Sequence, residues 1–255
     1  MKQIAVITGA SSGIGKEFAQ TVNRFTGRID EVWVIARRLD RLEELSLPYP
    51  CVPVALDLSD RKSFEVYSQK LADEDVQVNL LINCSGFGRF EETMDTDLSV
   101  NLNMVDLNCQ ALMAMCQMTI PYMRQGSAII NIASVAANQP IPGINVYGAS
   151  KAFVLHFTQG LNRELRKLGI HVMAVCPFWT KTEFFGRAVD PQNTIVKKYI
   201  AMYSPDQIVS LAWKDLKAGR MVSMYGMAAR FQTFLATHLP HGFVMDFWMN
   251  QQGMK

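Results

Sequence analysis

Tyr147 and Lys151 stand four residues apart in YGASK, between the proline-containing loop NQPIPGINV and the apolar run AFVLHFTQGL. Side chains at i and i+4 of a helix share one face, so this spacing sets a phenol beside an ammonium. A free tyrosine has a pKa of about 10, too high for efficient acid–base work at neutral pH, and bringing it to about 7 requires about 4 kcal/mol. A neighbouring cation favours the phenolate and lowers that value, and a tuned phenol suits general acid–base catalysis. The bland alternative is two polar groups on the solvated side of a helix. Ser134, in INIASVAA, closes an apolar run at the kind of strand end where open α/β sheets bind their ligands.

Those residues need a frame. Short runs rich in valine and isoleucine recur at 3–8 (QIAVIT), 31–36, 51–56, 79–83, 127–133 and 171–175, with no polar alternation. That is the pattern of parallel strands covered on both faces. Helical segments lie between them, at about 14–25, 38–45, 60–73, 98–124, 145–168 and 205–218. The alternation predicts an α/β fold: one doubly wound, Rossmann-type parallel sheet with helices on both faces and right-handed crossovers. With no linker or repeat in sight, residues 1–255 read as one domain, and RMVSM (220–224) as a last edge strand.

TGASSGIG (8–15) follows the first strand and opens the first helix. Gly9, Gly13 and Gly15 permit a tight turn and close approach of backbone to a pyrophosphate, with Ser11, Ser12 and Ile14 between them. Helix N-terminal N–H groups then face the phosphates. The spacing is G-x-x-x-G-x-G, not the usual dinucleotide fingerprint G-x-G-x-x-G. The second strand ends in Ala36, Arg37 and Arg38 with no carboxylate. A ribose 2′-hydroxyl is usually held by an acid there, whereas a guanidinium fork matches a 2′-phosphate. The ending therefore favours NADP(H) while leaving NAD(H) open. Asp57, beside Leu58 after the third strand, is placed to meet the adenine amino group, and Asp60 to cap the next helix.

The remaining totals are those of a globular chain: 49% hydrophobic, 19% charged and a net charge of +2, which gives no reason to expect nucleic acid. Five scattered cysteines without a CxxC pair fit a reducing compartment, with neither a disulfide framework nor a metal site. The opening apolar stretch IAVI is too short for a signal peptide, and no run suffices to cross a bilayer. A cytoplasmic protein is expected.

Together TGASSGIG, LINCSG, Ser134 and YGASK, in this order over about residues 3–182, resemble the short-chain dehydrogenase/reductase family. The resemblance implies a nicotinamide cofactor. It assigns Tyr147 as proton donor to a carbonyl, Lys151 as modulator of Tyr147 and ligand of the ribose, and Ser134 as the group polarising the carbonyl. Asn108 matches the helix asparagine that holds a water linking Lys151 to solvent. Asn83 and Gly86 match the fourth-strand signature near the adenine ribose. Pro177, Thr180 and Thr182 match the segment that holds the nicotinamide carboxamide.

Two departures stand out. The fourth-strand signature, commonly Asn-Asn-Ala-Gly, reads Asn83-Cys84-Ser85-Gly86, and Phe178 replaces the glycine that usually follows Pro177. The expected substrate wall, from Phe87, Phe90, Ile141, Phe178, Trp179, Phe184 and Phe185 with Met202 and Tyr203 beyond, suits a hydrophobic ketone or its alcohol: a steroid, a ketoacyl chain or an aromatic carbonyl. The apolar tail from about 226 to 255 weakly resembles that of steroid- and lipid-active members. It could cover the pocket, pack against a partner subunit or lie on a membrane. The methionine-rich helix at 98–124 matches one that often builds a homodimer or homotetramer. The leading reading is an NADPH-dependent carbonyl reductase or alcohol dehydrogenase. The alternatives are a non-catalytic NADP(H)-binding sensor or scaffold, and an epimerase or dehydratase.

Overall fold

The computed structural model describes residues 1–189 and 195–254. Seven strands, β1 (Lys2–Thr8), β2 (Glu31–Ala36), β3 (Cys51–Ala55), β4 (Val76–Asn83), β5 (Ala128–Ile132), β6 (His171–Val175) and β7 (Val222–Ser223), form one parallel sheet ordered 3-2-1-4-5-6-7. The valine- and isoleucine-rich runs become strands because their side chains are buried alternately on both faces. Ile4, Val6, Trp33, Ile35, Val78 and Leu81 face one way, Ala5, Ile7, Val32, Val34, Leu80 and Ile82 the other. Pro53, which cannot donate to a ladder, falls in β3 at the sheet edge, where proline is tolerated.

One layer is built from α3 (Lys62–Asp73), the long helical segment at 98–119 and α6 (Asn145–Leu165), with Tyr67, Met115, Val154 and Leu161 against the sheet. The other holds α1 (Gly13–Gln20), α2 (Leu39–Glu43) and α8 (Pro205–Lys217), through Phe18, Leu42, Val209 and Trp213. α8 starts at a capping box, in which Ser204 N donates to Oε1 of Gln207 at 3.1 Å. Asp60 accepts from Lys62 N at 3.0 Å at the start of α3. The strand order reverses between β1 and β4, so a crevice opens at their carboxyl ends, where such sheets bind ligands.

Two segments differ from the sequence reading. The helix expected over 98–124 is α4 (Leu98–Val105), a π-helical turn (Asp106–Ala111) and α5 (Leu112–Thr119); such π turns often mark functional sites. The tail forms two helices, α9 (Met227–His238) and α10 (His241–Gln252). They fold back over the crevice: Trp248 Nε1 donates to the Pro142 carbonyl at 2.9 Å, and Gln252 Oε1 accepts from Lys197 N and Lys198 N at 2.8 and 2.9 Å. Phe231, Phe234, Phe243 and Phe247 of these helices face outward. Among the described residues no helix is long and apolar enough to cross a membrane.

Candidate active site

A cleft of about 390 Å³ runs from the glycine turn, past the ends of β1, β4, β5 and β6, to Trp248. Its glycine end is pinned from two sides. Gly9 N donates to the Ile35 carbonyl at 2.8 Å, and Thr8 Oγ1 accepts from Cys84 N and Ser85 N at 3.1 Å each. The turn is left-handed at Gly9 (φ +67°), where a Cβ would come within 2.8 Å of the Cys84 carbonyl carbon. Backbone thus fills the space a side chain would need.

Ser11, Ser12, Gly13, Ile14 and Gly15 line this end, followed by Arg37, Arg38, Asp57, Leu58 and Gly86. Arg38 donates from Nη2 to Ser11 Oγ at 3.0 Å. The exposed Arg37 lies near Asp57, whose carboxyl is drawn below its ordinary range by bonds from Ser59 and by the charges of Arg37 and Arg187 against the opposing effect of burial. An elongated groove that runs from the N-terminus of α1 to arginines fits a dinucleotide phosphate ester.

At the other end, α6 presents Tyr147 and Lys151 on one face, with Nζ 5.8 Å from the phenol ring centroid. Lys151, only 6% exposed, donates to the Ile132 carbonyl at 2.8 Å. Ser134 Oγ accepts from Ala136 N at 3.1 Å, so its own proton remains available for another oxygen. Pro177, Phe178, Trp179, Thr180, Thr182 and Phe184 complete the wall after β6, and Phe87 closes it after β4. Phe178, in place of glycine, packs against Trp179 at 5.9 Å, and its carbonyl accepts from Thr180 Oγ1 at 2.8 Å. The segment therefore accommodates the larger residue without losing Thr180 and Thr182 from the cleft.

Burial sets the electrostatics of this pair. Among the protein groups alone, burial pushes the Tyr147 phenol up to about 12, with the Ser134 hydroxyl pulling it back. Burial likewise brings the Lys151 ammonium down to about 8. The ammonium does not by itself lower the phenol, because desolvation of both groups opposes their charging. A reaction that needs the Lys151 cation should therefore lose kcat/KM as pH rises through about 8, the value for Lys151. Stability runs the opposite way. A lysine depressed from 10.5 is held charged at a cost below about 8, and that cost is relieved as pH rises from there towards 10.5. Lys151→Met should abolish both features; pH–rate profiles and denaturant melts across this range would test it.

Asn108 and Asn83 do not line the cleft. Asn108, at the π turn, brackets one residue: Oδ1 accepts from Phe87 N at 3.0 Å, and Nδ2 donates to the Phe87 carbonyl at 2.8 Å. Nδ2 also donates to Ser150 Oγ at 3.0 Å, which donates to the Tyr147 carbonyl at 2.7 Å. The extra residue of the π turn turns the amide towards the β4 loop. A Cβ on Gly86 would sit 2.9 Å from Asn108 Oδ1 and 3.5 Å from Lys151 Nζ, so Gly86 leaves open the gap between them. Asn83 points into the sheet instead, donating to Asn131 Oδ1 at 2.9 Å and Cys116 Sγ at 3.3 Å. It shapes the strand end, and its side chain does not line the cleft.

Met202 and Tyr203 also lie elsewhere, Tyr203 against Tyr225 at 5.1 Å. Sequence reasoning missed Glu183, Gln232 and Trp248, which line the cleft. Glu183 and Trp248 come from segments with no motif, so only tertiary structure brings them in. Half-buried Cys84 lines the cleft with its thiol pushed up by burial, which suits packing and not redox chemistry.

The family profile described as short chain dehydrogenase matches residues 3–193. The chain is 34% identical over 192 residues to sulfoacetaldehyde reductase 2 of Chromohalobacter salexigens, covering 72% of this chain and 75% of that one. Among solved structures it is similar to a short-chain dehydrogenase from Sphingobium yanoikuyae in complex with NADPH, with TM-score 0.77, 28% identity and 96% of both chains covered. It is also similar to the bulky-bulky ketone specific alcohol dehydrogenase from Comamonas testosteroni, with TM-score 0.72, 25% identity, and 99% of this chain and 93% of that one covered. With the sheet order and the cleft at its switch point, these likenesses settle the class: the chain belongs to the short-chain dehydrogenase family and is an NAD(P)-dependent oxidoreductase.

Proposed function

We propose that the protein reduces a hydrophobic ketone, or oxidises the matching secondary alcohol, with NADP(H) as the preferred cofactor. The observation that carries this reading is the meeting of Ser134, Tyr147 and Lys151 at one end of a cleft whose further wall is aromatic. The bound nicotinamide supplies or accepts the hydride.

The chain's own residues handle the oxygen. Ser134, already accepting from Ala136 N, hydrogen-bonds the carbonyl oxygen through its hydroxyl and orients it without giving up its proton. Tyr147 donates the phenolic proton that becomes the alcohol proton. Lys151, anchored on the Ile132 carbonyl, keeps further N–H groups for the ribose and offsets the negative charge left on Tyr147. Protons return along the gap beneath Gly86, where Asn108 faces Lys151. Gly9 to Gly15 hold the pyrophosphate, Arg38 the 2′-phosphate, and Thr180 and Thr182 the carboxamide.

Size and polarity narrow the substrate. Phe90 lies 6.4 Å from Tyr147, 5.8 Å from Trp179 and 6.0 Å from Phe184, and Trp248 closes the same cluster. Apolar rings this close to the acid favour a bulky apolar flank on the carbonyl. The Comamonas testosteroni neighbour is described as specific for bulky-bulky ketones, in keeping with such a wall. The name of the Chromohalobacter relative indicates an anionic aldehyde, which an aromatic wall suits less well.

The test is NADPH oxidation against paired carbonyls: aromatic ketones, a cyclic steroid ketone, 3-ketoacyl thioesters and sulfoacetaldehyde. Turnover of an apolar ketone with a higher kcat/KM than for sulfoacetaldehyde is expected. Preference for the sulfonate would overturn the substrate assignment, and NADPH binding without turnover of any carbonyl would favour a sensor.

A further inference from the structure

Arg38 and Arg41 stand where β2 gives way to α2, at the carboxyl edge beside the glycine turn. Both already hold an anion. Glu183 Oε2 lies 3.0 Å from Arg38 Nη1, and Glu183 Oε1 lies 2.5 Å from Arg41 Nη1. Each carboxylate oxygen thus takes one guanidinium, and Arg38 keeps its second arm on Ser11 Oγ. Glu183 comes from the opposite wall of the cleft. It immediately precedes α7 (Phe184–Ala188), whose first residue packs 5.4 Å from the Tyr147 ring.

We propose that Glu183 is a determinant of cofactor selectivity: a carboxylate that occupies the cationic subsite for a 2′-phosphate and must yield it when NADP(H) binds. The inference rests on the NADP(H) reading above. A phosphate monoester carries more charge and more acceptor oxygens than a carboxylate, so it takes both arginines in exchange. A ribose 2′-hydroxyl brings no charge to displace Glu183, but it can donate a hydrogen bond to it. Glu183 therefore opposes the phosphate and serves the hydroxyl, narrowing the preference that the arginines create.

The probes are 2′,5′-ADP and 5′-AMP, titrated by calorimetry into wild type, Glu183→Gln and Arg38→Gln, with NADPH and NADH titrated in parallel. Glu183→Gln keeps the shape and removes the charge. It should tighten 2′,5′-ADP and NADPH by about three- to tenfold, the scale of two surface ion pairs, and weaken both 5′-AMP and NADH, whose ribose 2′-hydroxyl then meets an uncharged, weaker acceptor. The gain should shrink as salt is raised. Arg38→Gln should weaken 2′,5′-ADP and spare 5′-AMP. If Arg38→Gln weakens 2′,5′-ADP but Glu183→Gln changes nothing, the role of Glu183 is overturned and the NADP(H) reading stands. If neither variant separates 2′,5′-ADP from 5′-AMP, both fall.

Discussion

Tyr147→Phe is expected to lower kcat for carbonyl reduction by about 10²–10⁴-fold, the usual worth of a positioned general acid, with Kd for NADPH almost unchanged. The substitution removes one oxygen. The ring keeps its contacts with Phe184 at 5.4 Å and Phe90 at 6.4 Å, so the wall should retain its shape. Ser134 remains to orient the substrate oxygen, which is why KM should move less than kcat. Stopped-flow hydride transfer with NADPH and a ketone substrate separates the two parameters. Full single-turnover rate in the variant would remove Tyr147 from the mechanism and transfer the proton to Ser134 or solvent.

The pKa directions explain why this effect is expected to be large. The phenol starts as a reluctant acid and the ammonium as a reluctant cation. A protein that buries both gains nothing in stability from them in that form. Burial strengthens their mutual interaction once charge does develop on the oxygen, since the low-dielectric cleft screens it little. The cost in the resting protein and the gain in the reacting one come from the same desolvation.

Much of the frame was legible in the chain. EVWVIA and HVMAV give β2 and β6 to the residue, and LINCSG sits where β4 ends, because a strand buried on both faces must be apolar at every position. The glycine turn and Tyr147 with Lys151 were legible for a related reason: their spacing is a local constraint. What escaped was set by distant contacts. The π turn at Asp106–Ala111 carries Asn108, which takes both backbone groups of Phe87, a pairing between segments 21 residues apart. Asn83 looked like a cleft residue from its place at a strand end, yet pleating turns it inward to Asn131. Trp248 and Glu183 carry no motif, and only the folding of the tail over the cleft and the return of the β6–α7 loop to Arg38 reveal them. Spacing shows a neighbour's charge beside Tyr147 but not the burial that, among the protein groups alone, raises its pKa.

Gly15→Ala tests the part of the site that spacing alone singled out. The new methyl would run into the Gly9 carbonyl, 2.7 Å from its carbon and 3.2 Å from Ala10 N, where carbon contacts normally settle at about 3.5–4.0 Å. Both partners are backbone, so no side chain can swing aside. The turn cannot retreat freely, because Gly9 N is tied to Ile35 and the neighbouring Thr8 hydroxyl to Cys84 and Ser85. The first turn of α1 must therefore back away from the strand, and with it the N–H groups that would face a pyrophosphate. A displacement of about 1 Å at a binding constellation can cost about 10²-fold, and overpacking of this kind costs about 1–3 kcal/mol of stability. The expected result is NADPH binding weakened by about two orders of magnitude and a lowered denaturation midpoint, read by tryptophan quenching and by urea melts. Loss of affinity for NADPH and NADH should be equal, since the pyrophosphate is common to both and the 2′ position lies beyond the strain. Unequal loss would mean that the turn reaches the ribose end through Ser11 and Arg38, whose bond at 3.0 Å would then transmit the shift. Undiminished affinity would show that the phosphates rest elsewhere than on the glycine turn.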